Sequence, residues 1–255
     1  MSYDLQKADI WKRASAFLLD IILCAIAMVG FILLLTLITG TNRYYETYEE
    51  RMAYYSSEYG VDLQKLGDRA AYDALSDEEK ALYDTAWEAF AKDEEANRSY
   101  GMIIQTVILN TSIGILLAFL LLEFAVPLFL KNGQTVGKKV FGIGVMRIDG
   151  VKVNGQIMFI RSILGKYTVE TMIPIMMLAW LLIGQAGIMS IVIILLVLIS
   201  NIAMMIATRT NSGIHDMLAQ TVTVDMASQM IFDSPEALLA YKQKVHAEAV
   251  ERAEY

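Results

Sequence analysis

The sequence predicts an all-α membrane protein: a four-helix transmembrane bundle with a helical extracytoplasmic insertion and a small cytoplasmic β-hairpin. Three observations predict it. Of 255 residues, 56% are hydrophobic and only three are proline, above the apolar share of an ordinary soluble domain. The apolar residues gather into runs long enough for a bilayer, which takes about 20 residues. The charges lie mostly between those runs, so the net charge of −7 does not describe an acidic soluble protein.

Residues 1–39 hold the N-terminus and the first span, whose run Ala14–Ile38 carries one charge, Asp20. That run is far longer than a signal-peptide core and no small-x-small site follows it, so a retained anchor is expected. Residues 102–130 form the second span, uncharged except at Glu123. From Tyr167 to Arg209 the apolar content exceeds one span, and "GQAG" at 184–187 divides it. A helical hairpin is predicted over 167–208, with a short third helix, Tyr167–Ile183, and a full fourth, Ile188–Ala207. Glu170 and Pro174 shorten the apolar part of the third, which leaves a re-entrant segment as the alternative.

Lysine and arginine in short loops set the orientation. Residues 131–166 hold Lys131, Lys138, Lys139, Arg147, Lys152, Arg161 and Lys166 against one acid, Asp149; the N-terminus adds Lys7, Lys12 and Arg13. Both are expected in the cytoplasm, and four spans return residues 209–255 to it. The insertion, residues 40–101, is expected outside. Within 41–101 stand 7 Lys/Arg, 15 Asp/Glu and nine tyrosines. Ser76 and Glu79 form a capping box, and Leu82, Trp87 and Phe90 lay a partial apolar stripe, so two or three helices are predicted. They read either as a solvated acidic hairpin packing on its own aromatics or as an acidic vestibule that concentrates cations.

In the basic loop, "VFGIGVMRIDGVKVNG" alternates around Asp149-Gly150 and predicts a hairpin. A second short strand, "QTVTVD" at 220–225, is able to pair with it. Ser234-Pro235-Glu236 opens a C-terminal helix.

Several chemistries lack material. Cys24 is the only cysteine, and His215 and His246 are the only histidines, which argues against a disulfide, a cysteine or histidine metal site and a Ser-His-Asp centre. "GQTVGKK" at 133–139 has three residues between its glycines instead of four, and Lys139 stands where a phosphate loop needs Ser or Thr. No basic–aromatic patch points to nucleic acid. Neither an enzyme nor a bound cofactor is expected.

The polar residues inside the spans say more. Arg13 and Asp20 are seven apart, two turns, and share a helix face about 10 Å apart along the axis. Glu123 precedes Lys131 by eight residues and Asn201 precedes Arg209 by eight, which sets each about 12 Å inside the cytoplasmic boundary. Glu170 begins the third span on that side. Intramembrane acids are costly and mark ion pathways or buried pairs. The set Asp20, Glu123, Asn201 and Glu170 therefore reads as a proton or cation relay, or as a structural ion-pair network. Gln105, Asn110, Thr111 and Ser112 extend the polar residues up the second span, or bond their own helix backbone.

At this point "WKRASAFLLDIIL", "GQTVGKKVFGIGVMRIDG", "RSILGKY" and "RTNSGIHDMLAQTVTV" together resemble the RDD family of bacterial membrane proteins. The family is named for one arginine and two aspartates, here Arg13, Asp20 and Asp216. The resemblance implies a multi-pass protein of the cytoplasmic membrane, suspected of transport, with some members reported as sodium/proton antiporters; its small size implies a homo-oligomer. The insertion is longer than the family's usual external loop. Two readings follow. In one, the chain exchanges a monovalent cation for protons, with Arg13 and Asp216, and Arg209 nearby, as a gate or clamp. In the other it transports nothing: the Arg/Asp set locks the bundle, and the insertion or C-terminal helix recruits a protein partner.

Overall fold

The computed structural model describes residues 4–64, 72–130, 132–182, 184 and 187–253. Helix α1 (Ile10–Thr39) is followed by α2 (Thr41–Tyr59), α3 (Asp77–Ala91) and α4 (Glu94–Phe129), the last carrying a π-helical turn at Leu120–Ala125. Then come α5 (Val136–Val140), β1 (Ile143–Arg147) and α6 (Gly155–Phe159). Helix α6 runs on as a π-helical stretch, Ile160–Met172, into α7 (Ile173–Leu182). The chain ends with α8 (Gly187–Ala207), α9 (Ile214–Leu218), β2 (Thr221–Asp225) and α10 (Pro235–Ala253).

Among the described residues three helices, α1, α4 and α8, are long and apolar enough to cross a membrane. The sequence predicts four. The difference lies in Tyr167–Ile183: its regular α-helical part, α7, has ten residues, about 15 Å against a core of about 30 Å. Its earlier residues belong to the π-helical stretch, whose Lys166 and Glu170 are engaged by other elements. Ile183, Gln185 and Ala186, at the predicted break, lie outside the described residues.

The chain divides into two compact units, Met1–Ala27 with Leu116–Tyr255, and Met28–Ile115. In the second unit Gly40, at φ 65°, takes the left-handed conformation that ends α1 and lets α2 start. Helix α3 opens on the expected capping box, Ser76 with Glu79. Its buried residues are Ala86 and Phe90, packed with Leu63, Ala96, Tyr48, Tyr55 and Tyr83. Leu82, expected on the apolar stripe, is exposed. The core side of α3 is Tyr83–Ala86–Phe90 because those positions meet the α2 tyrosines. Asp93 ties the unit together: it accepts from Arg51 Nε (3.0 Å), Tyr55 Oη (3.1 Å) and the Ala96 amide (2.7 Å). The Arg51 bond pulls its carboxyl down to about 2.

In the first unit the small sheet departs from the predicted hairpin. Asp149-Gly150 does make a tight turn, with the Gly150 amide on the Arg147 carbonyl at 3.0 Å. The arm beyond it meets β1 through one bridge, Met146 to Lys152, and the Arg147 amide on the Val151 carbonyl at 2.9 Å. The full partner of β1 is β2, antiparallel, from Ile143 opposite Asp225 to Arg147 opposite Thr221. Both strands are buried on both faces over four residues, and the second arm, with Val151 buried, is taken up instead by a bridge from Val151 to Phe232. Lys7 bridges to Val224, and the Ala8 amide reaches the Thr223 carbonyl at 3.1 Å, which brings the N-terminal segment onto β2.

Candidate functional site

Seven parts of the first unit converge. From α1, Asp20 turns inward, and its two oxygens receive the segment before β1: Oδ1 accepts the Gly137 amide at 2.8 Å and Oδ2 the Thr135 hydroxyl at 2.5 Å. Thr135 also caps α5, accepting the Lys138 amide at 3.3 Å. Gly137 is required by close approach, since a Cβ there would stand 2.3 Å from the Ala16 carbonyl oxygen and 2.9 Å from Asp20 Cγ. The "GQTVGKK" stretch thus folds as a short capped turn seated on a carboxylate.

The π-helical stretch supplies the cations. With i→i+5 bonding, residues about four to five apart share a face, and Arg161, Lys166 and Glu170 have that spacing. The Thr168 and Thr171 hydroxyls, bonded to carbonyls five residues back at 2.9 and 2.8 Å, follow the same register. Lys166 Nζ bonds Glu123 Oε2 at 2.7 Å. The Glu123 carbonyl, inside the π turn of α4, accepts the Ser162 hydroxyl at 2.5 Å.

Asp216, fully buried on α9, gathers two arginines. Arg161 reaches Oδ1 through Nε and Nη2 at 3.0 and 2.9 Å, and Arg13 Nη2 reaches Oδ2 at 3.4 Å. The Thr221 hydroxyl adds a bond at 3.0 Å. Burial alone would raise the Asp216 carboxyl; Arg161, His215 and Arg13 outweigh it and hold the group well below the usual carboxylate range. Glu170 Oε1 meets both the His215 amide (3.0 Å) and its Nδ1 (2.8 Å). Asn201 Oδ1 accepts the Ile214 amide at 3.3 Å.

These groups surround a cavity of about 320 Å³, lined by Arg13, Asp20, Lys138, Glu170, Asn201 and His215 among others, with Phe17, Leu198 and Ile202 on an apolar side. Of the sequence-predicted residues, Arg13, Asp20, Glu170 and Asn201 line it. Glu123 and Asp216 stand behind, held by lining cations. Arg209 does not join them: it is exposed, and the neighbouring Thr210 carbonyl is what Arg13 Nη1 contacts, at 3.2 Å. Residues not singled out from sequence as site members are Thr135, Lys138, Arg161 and His215; Lys166, a rim cation by sequence beside the carboxylates, is bonded to Glu123. Lys138, Arg161 and Lys166 look like ordinary loop charges, yet all three are buried. A usable signal was their number: a loop with a single acid has cations to spare for acids elsewhere.

A family model, described as RDD family, matches residues 7–220. The chain belongs to the RDD family. The match covers the site from Arg13 and Asp20 to Asp216 and ends one residue before Thr221. No curated protein and no solved structure matches the chain. Family membership and the apolar helices together make this RDD protein a membrane protein, and α1 and α8 expose large apolar side chains such as Ile26, Leu196 and Ile199.

Proposed function

We propose that this RDD protein is a secondary transporter that exchanges a monovalent cation for protons through the cavity. The observation that carries the proposal is one pairing mismatch. Asp20 is buried and, among the described residues, has no cationic side chain within ion-pair distance, while Lys138 is buried in the same lining with no acid at that distance. A buried charge without a direct counter-ion is expensive and is suited to a site where an ion comes and goes. Asp20 takes the cation and Asn201 offers a neutral oxygen. Glu123 with Lys166, and Glu170 with His215, set the surrounding potential. Arg13, Asp216 and Arg161 clamp the inner rim. The role is non-enzymatic.

The setting proposed is the bacterial cytoplasmic membrane, with four spans, Tyr167–Ile183 completing the bundle, and both termini inside. Residues 40–101 lie outside, and a homo-oligomer completes the pathway. Support for the orientation comes from Lys7, Lys12, Lys139, Arg147 and Lys152, which remain outside the cavity lining.

A second reading is favoured by a different observation: Glu123, Glu170 and Asp216 are each already bonded to a partner. On that reading the cluster only locks the fold, and the protein is a membrane scaffold. Proteoliposomes with an internal pH dye separate the two. Transport predicts alkalinisation or acidification driven by a sodium or potassium gradient, lost in Asp20→Asn; no cation-driven pH change in wild-type vesicles supports the scaffold.

A further inference from the structure

Exchange needs a group that gives up a proton when the cation arrives, and resting on the transport reading above, we propose that this group is Lys138. Its surroundings fit that task. Nζ donates to the Thr135 hydroxyl oxygen at 3.3 Å. That hydroxyl spends its own hydrogen on Asp20 Oδ2, so towards Lys138 it acts as an acceptor. Both an ammonium and a neutral amine carry N–H donors, and the bond to Thr135 therefore survives either charge state. Lys138 changes charge without changing place.

The other cations of the cluster are not equivalent. Arg13 and Arg161 are bonded to Asp216, and Lys166 is bonded to Glu123. Facing Lys138 are Asp20 from α1, Glu123 from α4, and Arg161 and Lys166 from the π-helical stretch. Two cations and two acids roughly balance, which leaves the arrival of a third positive charge to decide its protonation. Burial, then Lys166 and Arg161, already push the Lys138 ammonium down to about 7.

The step balances simply. A cation settling at Asp20 repels the ammonium one hydroxyl away. One Nζ–H bond breaks, the electron pair stays on nitrogen, and the proton passes to cavity water. When the cation leaves, water returns a proton to the lone pair. Cation and proton thus occupy neighbouring groups and exclude each other by charge.

The test uses full-length protein in proteoliposomes, with sodium-driven proton flux followed from pH 5.5 to 9 and thermal stability measured in detergent. Lys138→Arg, which keeps the charge but cannot discharge it, is expected to lose at least tenfold of the flux at every pH with melting close to wild type. Lys138→Gln is expected to admit radioactive sodium without moving protons. Wild-type sodium affinity, which needs no variant, is expected to fall about tenfold per pH unit below about 7, as one competing proton requires. Either variant exchanging protons with the wild-type pH profile overturns the Lys138 assignment and leaves exchange itself standing, whereas sodium affinity independent of pH from 5.5 to 9 overturns the assignment together with any competition of cation and proton in the cavity. Wild-type vesicles that show no sodium-driven proton flux overturn both.

Discussion

The amide of Gly137 donates to Asp20 Oδ1 across 2.8 Å, joining the first span to a turn 117 residues later in the chain. The contact leaves no room for a side chain, because the Ala16 carbonyl closes from the other side. Gly137→Ala is expected to cost about 1–3 kcal/mol, the usual penalty for forcing a group into a packed site, and to lower the melting temperature in detergent. Gly155→Ala, where a Cβ meets nothing within 4 Å, is the control and should melt like wild type.

The Glu123–Lys166 pair separates stability from function. Removing one partner strands the other charge, so Glu123→Gln alone should destabilise by about 3–5 kcal/mol. The double change Glu123→Leu with Lys166→Met removes both charges and should recover most of that stability. Denaturant or thermal unfolding of the three proteins checks the cycle. Recovered stability without recovered cation-driven flux is expected, since the potential around Asp20 and Lys138 is then altered.

Asp93 gives the second unit an acid limit. Its carboxyl sits lower in the folded chain than the ordinary 3.8, at about 2. A depressed carboxylate contributes stability above its unfolded pKa and loses it as pH falls through the folded one. The Asp93 contribution should therefore be constant above about pH 4 and fade between pH 4 and 2. Asp93→Asn should remove that slope and lower stability near neutral pH, because the carboxylate bond to Arg51 is lost. Unfolding followed at a series of acid pH values, wild type against variant, measures the difference.

How much of this is legible in sequence differs by residue. The three long spans, the capping box at Ser76 and the strand at 220–225 follow from local pattern, because hydropathy, capping and alternation act within a few residues. Arg13 and Asp20 stand out by their spacing and by the charge inside the first span, Asp216 by the family motif, and the depth of Glu123 and Asn201 follows from counting turns. The π-helical stretch was not legible: its i→i+5 register depends on Arg161, Lys166 and Glu170 finding Asp216, Glu123 and His215 across the fold. Lys138 was hidden for the same reason. Nothing in "GQTVGKK" says which of two adjacent lysines turns inward, and it is the Asp20–Gly137 contact that turns Lys138 in and leaves Lys139 exposed.

The central claim, that cation and proton compete within one cavity, is tested most directly by adding sodium to weakly buffered, purified protein in detergent at pH 7.0 and recording the pH. Release of a fraction of one proton per chain, saturating with sodium and absent in Asp20→Asn, is the predicted result. A wild-type protein that binds sodium with no release of protons, or releases the same amount when Asp20 is replaced, would contradict it.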